Sequence, residues 1–172
     1  MRYFLISLTI LFAFLSTPLP VLAAGSQFIT IVHPIRGKDF FQLEDEKPIN
    51  NVLRMWQIVQ ETNLSATWLV RPDALDDSEI VNFLKSLPSN QEVGLFMEVT
   101  PTWTKKAQIE YHQNQNWHDA GSVFLTGYEV EERGRLIDAA FETFESSIGY
   151  RPSSVGAWWI DAGSLLYMRE KY

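Results

Sequence analysis

From residue 28 onward the chain alternates two hydrophobic rhythms. Phe28-Ile29-Thr30-Ile31-Val32 is a continuous, largely β-branched run, which predicts a strand buried on both faces, as in a parallel sheet, ending at His33-Pro34. After a loop, Pro48 stands where proline favours a helix start, and Ile49, Val52, Leu53, Trp56 and Val59 follow at helical spacing. Asn51, Arg54, Gln57 and Glu61 lie on the other side, and Asn63 is the expected stop. Ala66-Thr67-Trp68-Leu69-Val70 predicts a second strand, closed by Arg71-Pro72. Asp76 with Glu79 resembles a capping box ahead of the apolar stripe Ile80, Phe83, Leu84 and Leu87. A third strand carries Val93, Leu95, Phe96, Met97 and Val99, delivers Glu98 to its carboxyl end and breaks at Thr100-Pro101. Residues 100–126 hold Trp103, Tyr111, His112, Trp117 and His118 with little periodicity beyond one turn at 105–111, the pattern of a long functional loop. Val130, Leu136, Ile137, Ala140, Phe141, Phe144 and Ile148 then share one face of a helix that Gly149 stops. Pro152 leads into a fourth strand over 154–160, Asp161 closes it, and 165–172 opens a last helix.

Strands alternating with helices demand parallel pairing through right-handed crossovers, so the expected class is α/β in one domain. Four strands are too few to close a barrel, and the sequence stops inside an apparent helix. The chain is therefore expected to be the first half of a longer protein. Residues 1–24 read as a separate segment: Arg2 begins it, the stretch from Phe4 to Leu15 is apolar, and Val21-Leu22-Ala23-Ala24 offers small residues for cleavage. A secretory signal is expected, with export to the exterior, periplasm or cell envelope. Its apolar core falls short of the roughly 20 residues of a membrane span, which favours cleavage over a retained anchor and leaves no stable span in residues 25–172.

Charge and composition narrow the partners. Removing Arg2 takes Lys+Arg from 14 to 13 against 21 acidic residues, a net charge of −8, which argues against nucleic acid. The chain has no cysteine, so no disulfide or thiolate metal site is available, and no glycine-rich phosphate loop occurs. No cofactor is expected.

Several motifs carry a family resemblance. Ala66-Thr67-Trp68-Leu69-Val70 resembles the Ala-Thr-Phe-Phe-Val strand of NodB-type polysaccharide deacetylases, and Gln91-Glu92-Val93-Gly94-Leu95 resembles their His-Glu-Ile-Gly-Asn. The helix ending at Ile148, followed by Gly149-Tyr150-Arg151-Pro152, is similar to their helix and Pro-led fourth strand. The resemblance implies the first half of a parallel (β/α) barrel of the glycoside hydrolase/deacetylase type, acting on carbohydrate or cell-envelope polysaccharide. That family holds a divalent metal with two histidines four apart and an Asp-Asp-Gly motif. Here Phe96 and Thr100 stand at the histidine positions and His33-Pro34-Ile35 at the acidic motif, which marks a divergent branch without the metal-ligand motifs and predicts no metal site.

The candidate chemistry is therefore carboxylate-based. Glu98 and Asp161, at the ends of the third and fourth strands, are the candidates for the two acids that glycoside hydrolysis requires. Each also has a structural reading: Glu98 as an ion-pair partner of Arg36, Lys38 or Arg71, and Asp161 as the N-cap of the last helix. His33, Arg36, Trp103, Trp117 and Trp158 are the candidate substrate-binding residues, because flat aromatic faces pack against sugars. Trp158 and Trp159 alternate along a strand, so at most one is expected to face a cleft and the other is expected in the core. Asp39 reads as turn chemistry. Two functions are expected: a secreted hydrolase of polysaccharide or glycan substituents using strand-end carboxylates, or a non-catalytic sugar-binding or envelope protein on a degenerate deacetylase barrel.

Overall fold

A computed structural model describes residues 29–39, 47–112 and 119–172. Their strands and helices are β1 Val32–Ile35, α1 Pro48–Thr62, β2 Thr67–Val70, α2 Ser78–Ser86, β3 Glu92–Phe96, α3 Pro101–Lys106, α4 Ala120–Val123, α5 Val130–Ile148, β4 Val155–Gly156 and α6 Ala162–Lys171. The four strands form one sheet in the order β1-β2-β3-β4, every pair parallel. Sequential order in a parallel sheet requires each crossover to return on the same face. The α/β class and the parallel strand order thus hold, while closure into a barrel lies beyond these strands.

The core occupies one face. Ile35, Trp68, Val70, Val93 and Leu95 alternate onto it and meet Ile49, Val52 and Val59 of α1, Ile80 and Leu84 of α2, and Leu136, Ile137, Ala140 and Phe144 of α5. These are the apolar stripes the periodicity picked out. α1 begins with Pro48 and ends where Asn63 turns left-handed at φ 51°, and α5 ends at Gly149 with φ 100°, a conformation that favours glycine.

Four features differ from the expectation. The first strand runs through His33 and Pro34 to Ile35 instead of ending at them. Its Ile31 and Ile35 carbonyls accept from Thr67 and Arg71 of the β2 side, so the alternate residue Pro34 turns its backbone to the open edge, where a missing N–H costs nothing. The fourth strand is only two residues long, held by Leu95 N–H to Ser154 O and Met97 N–H to Gly156 O, before the chain turns away at Ala157. The described residues of 100–127 include two short helices and a 3-10 turn, Leu125–Gly127, where a loop was expected. Thr100 caps α3 by accepting from Trp103 N–H, a start that the Thr-Pro pair encodes. The N-cap of α2 is Asp77, which accepts from Glu79 N–H, and not Asp76, which sits one position early in a 3-10 turn.

The opposite face of the sheet is different. Val32, Pro34, Leu69, Phe96 and Gly156 border an apolar groove of about 560 Å³ that ends at Trp158. Glycine is needed at Gly94, where a Cβ would collide with the Ser154 backbone, while a Cβ on Gly156 would push aside the Leu69 side chain. Leu69 can lie across β4 only because Gly156 has no side chain.

Candidate functional site

β3 carries its chain from the helix-covered core to the carboxyl edge of the sheet, and two residues beyond it Glu98 is 2% exposed. Burying a carboxylate is costly unless donors surround it. Four donors do. Arg36 approaches side-on, Nε to Oε1 at 3.0 Å and Nη2 to Oε2 at 3.0 Å, the bidentate fork that suits a carboxylate. Arg71 Nη1 reaches Oε1 at 2.5 Å, and Trp158 Nε1–H donates to Oε2 at 2.6 Å. The β1, β2 and β4 ends thus all converge on the one carboxylate that β3 supplies.

Arg71 is itself buried and grips Asp73 with two bonds, at 2.5 and 2.7 Å. Asp73 Oδ2 also accepts from Asp39 N–H, and Asp39 accepts from the Thr102 N–H and hydroxyl at the start of α3. Arg36 and Arg71 balance Glu98 and Asp73 in charge, which is what lets so many ions leave water together. Burial pushes the Glu98 carboxyl up, but the hydrogen bonds from Arg36 and Trp158 and the charge of Arg71 outweigh it and hold the group below its ordinary range. Burial likewise pulls Arg71 down, and Asp73 and Glu98 more than restore it. A carboxylate held ionised in this way is a fixed anion and a poor proton donor.

Trp158 is the exposed end of the network. Its indole is tied down through Nε1, yet the residue remains 59% exposed. Its ring meets Phe96 edge-on at 5.9 Å between centroids, and the Arg36 guanidinium lies 5.5 Å from the Phe96 ring and 5.7 Å from that of Trp158. On the other side of Glu98, a cavity of about 40 Å³ is lined by Asp39, Arg71, Thr100 and Tyr111. It is large enough for one water or one hydroxyl group.

Of the residues singled out in the sequence, the structure joins Glu98, Arg36 and Trp158. Asp161 lies elsewhere: it borders a groove between α5 and α6 with Arg133, Asp138 and Tyr167, and shares no pocket with Glu98. Its oxygens accept from Ser164 N–H at 2.9 Å and Ser164 Oγ–H at 2.6 Å, with Arg133 at 3.5 Å, so it is the N-cap of α6. Asp161→Ala should therefore cost about 1 kcal/mol in urea unfolding and Asp161→Asn much less, since Asn caps almost as well. Equal costs for both would show that the carboxylate charge, and not the cap, is what α6 needs.

His33 faces the core side of β1, its ring 4.6 Å from Trp68, with Nε2 buried and without a hydrogen-bond partner among the described residues. Trp103 is fully buried and donates Nε1–H to Leu136 O, which places it in the core instead of at a cleft. Trp117 lies outside the described residues. Trp159, at 62% exposed, is not a core residue either: the chain leaves the strand at Ala157, so strict alternation no longer governs the pair.

Asp73 and Thr102 carry the network and were not singled out by sequence. The local sign of the first was Arg71-Pro72-Asp73, an arginine and an acid close enough for the side chains to fold back together. Among the described residues no group of three or more His, Asp or Glu is placed to hold a metal ion, and no helix is long and apolar enough to cross a membrane. No protein-family model, no curated protein and no solved structure matches the chain.

Proposed function

We propose that the chain is a non-catalytic carbohydrate-binding protein of the cell exterior or envelope, with Trp158 as the platform for a sugar ring. The observation that carries this reading is a half-exposed indole whose Nε1–H is held by a carboxylate that two arginines fix in turn. An aromatic side chain immobilised before the ligand arrives loses little entropy on binding. The exposed part of the indole suits the apolar face of a pyranose.

Hydrolysis by Glu98 and Asp161 is the less supported alternative. Both oxygens of Glu98 are taken by cationic or N–H donors, and Asp161 spends its own on Ser164 and Arg133. A barrel of the glycoside hydrolase/deacetylase type remains our reading of the wider fold. Four adjacent parallel strands with their helices on one face support it.

The test is calorimetric titration with neutral oligosaccharides. Binding by the wild type and a loss of affinity of about tenfold or more in Trp158→Ala are expected, the scale of a tryptophan hot spot. Equal affinities for the two proteins, or turnover of the oligosaccharide that Glu98→Gln abolishes, would overturn the reading.

A further inference from the structure

The chain leaving β1 is fixed at every second residue against the turn that follows β2. Ile35 O accepts from Arg71 N–H at 3.0 Å, Gly37 is buried over that turn, and Asp39 N–H donates to Asp73 Oδ2 at 3.2 Å. The approach at Gly37 is close: a Cβ there would lie 2.5 Å from Ala74 N and 2.7 Å from Ala74 Cα, in a backbone that is itself fully buried. Arg36 lies between these fixed points, and its fork holds Glu98.

The Asp39 side chain adds a tie to a third part of the sheet end. Its Oδ2 accepts from Thr102 N–H at 2.8 Å and its Oδ1 from the Thr102 hydroxyl at 3.0 Å, 63 residues along the chain at the start of α3. An aspartate serving only its own turn would bond to its neighbours. Two parallel bonds from one carboxylate fix an orientation as well as a distance. Asp39 is exposed whereas Glu98 is buried, so the two acids play different parts. An exposed cap of this kind adds little to the stability of the whole fold, and its effect lies in where residues 36–39 rest.

We propose that Asp39 is a positioning residue of the Trp158 site: by tying residues 36–39 to α3 it sets the Arg36 fork, which sets Glu98 and through it the indole. The links are Thr102 to Asp39, Arg36 to Glu98 and Glu98 to Trp158, joined by the short backbone run from Asp39 to Arg36. The chain segments that leave the four strands therefore behave as one unit, and loosening α3 loosens Trp158. What the indole binds does not enter, so the test needs no ligand.

Exchange of the indole N–H protons in the ligand-free protein reads this by two-dimensional NMR, with the Trp158 signal identified by its loss in Trp158→Phe. Asp39→Ala should speed exchange of that proton about fivefold or more, the scale of one lost capping interaction. The fully buried Trp68 indole, which donates to Gln91 Oε1, should be unchanged, whereas a general loss of stability would speed both. Asp39→Asn should restore the wild-type rate, because its amide can accept from Thr102 N–H and donate to the hydroxyl. Thr102→Ala removes the hydroxyl and spares the N–H, so it should give a smaller change in the same direction, and it carries the test if Asp39→Ala does not fold. An unchanged Trp158 rate in either alanine variant overturns the assignment. Equal acceleration of Trp68 overturns it too, as does an Asp39→Asn rate as fast as that of Asp39→Ala.

Discussion

Glu98→Ala should destabilise the protein by about 3–5 kcal/mol, and the loss should come from the arginines left behind. Arg71 is 2% exposed and shares Glu98 with Arg36, whose side chain is 17% exposed. Removing the carboxylate leaves the buried Arg71 guanidinium with Asp73 as its remaining ion-pair partner among the described residues and takes from Arg36 its ion pair with Glu98. By the same physics Arg71→Met should cost about as much, because buried Asp73 would lose its cation and Glu98 one of its two. Arg36→Met should cost less, since solvent reaches that side chain and Arg71 still neutralises Glu98. Urea unfolding of the three variants gives the ranking. For a chain of this size, such a loss lowers the melting temperature by roughly 10 °C. A Glu98→Ala cost below about 1 kcal/mol would mean that the cluster is hydrated and replaceable, and the preorganisation of Trp158 would lose its basis.

Acid should unfold the protein in two stages, the second steeper. His33 has its pKa lowered from the ordinary 6.5 by burial against Trp68, so the native state favours the neutral ring. The unfolded chain therefore binds the proton more readily. The contribution of His33 is complete above pH 6.5 and is lost as pH falls through the lower folded value. The orphaned Nε2 sharpens this, because a protonated ring would bury an N–H without an acceptor. Four carboxylates follow. Glu92 is lowered first by Ser153. In Glu98, Asp138 and Asp161 burial raises the pKa, but hydrogen bonds and cations outweigh it: Arg36 and Trp158 for Glu98, Lys171 and two tyrosines for Asp138, and Ser164 for Asp161. Each contributes stability that is complete above the ordinary 4.5 of Glu or 3.8 of Asp and disappears as pH falls through its depressed value. Urea midpoints measured from pH 8 to pH 3 should therefore be flat above about 7, fall gently below 6.5 and fall steeply below 4.5. His33→Phe should remove the first fall and leave the second. Stability that rises on acidification through pH 6 would contradict the burial of a neutral His33.

The sequence made most of the fold legible because its stripes are clean. α1, α2 and α5 carry apolar residues at helical spacing with stops at Asn63, after Leu87 and at Gly149, and all three lie near their expected bounds. Strand limits were harder. Pro34 reads as a terminator until the strand is known to be an edge, and the apolar run from Ser154 to Ile160 reads as a strand although only Val155 and Gly156 pair. Burial of polar groups was the least legible. Glu98 within an apolar run signalled a special carboxylate, and Arg36 and Arg71 were among its expected partners. Nothing local distinguished an ion cluster from a catalytic acid. That depends on which side chains three crossovers bring to the same sheet end, information held in the topology. The roles of Trp103 and Trp158 illustrate the same limit. Both follow strands and both are aromatic, but α3 folds Trp103 back against Leu136 while the turn after β4 leaves Trp158 outside.

The central claim is that Glu98 serves ligand binding only by holding Trp158. A double-mutant cycle on oligosaccharide affinity, with Glu98→Gln and Trp158→Ala, measures this directly. Glu98→Gln should weaken binding in the wild-type background and have no further effect once Trp158 is gone, so that the coupling energy equals the whole effect of Glu98→Gln. Additive losses, with Glu98→Gln costing as much in Trp158→Ala as in the wild type, would show that Glu98 meets the ligand itself and would contradict the account.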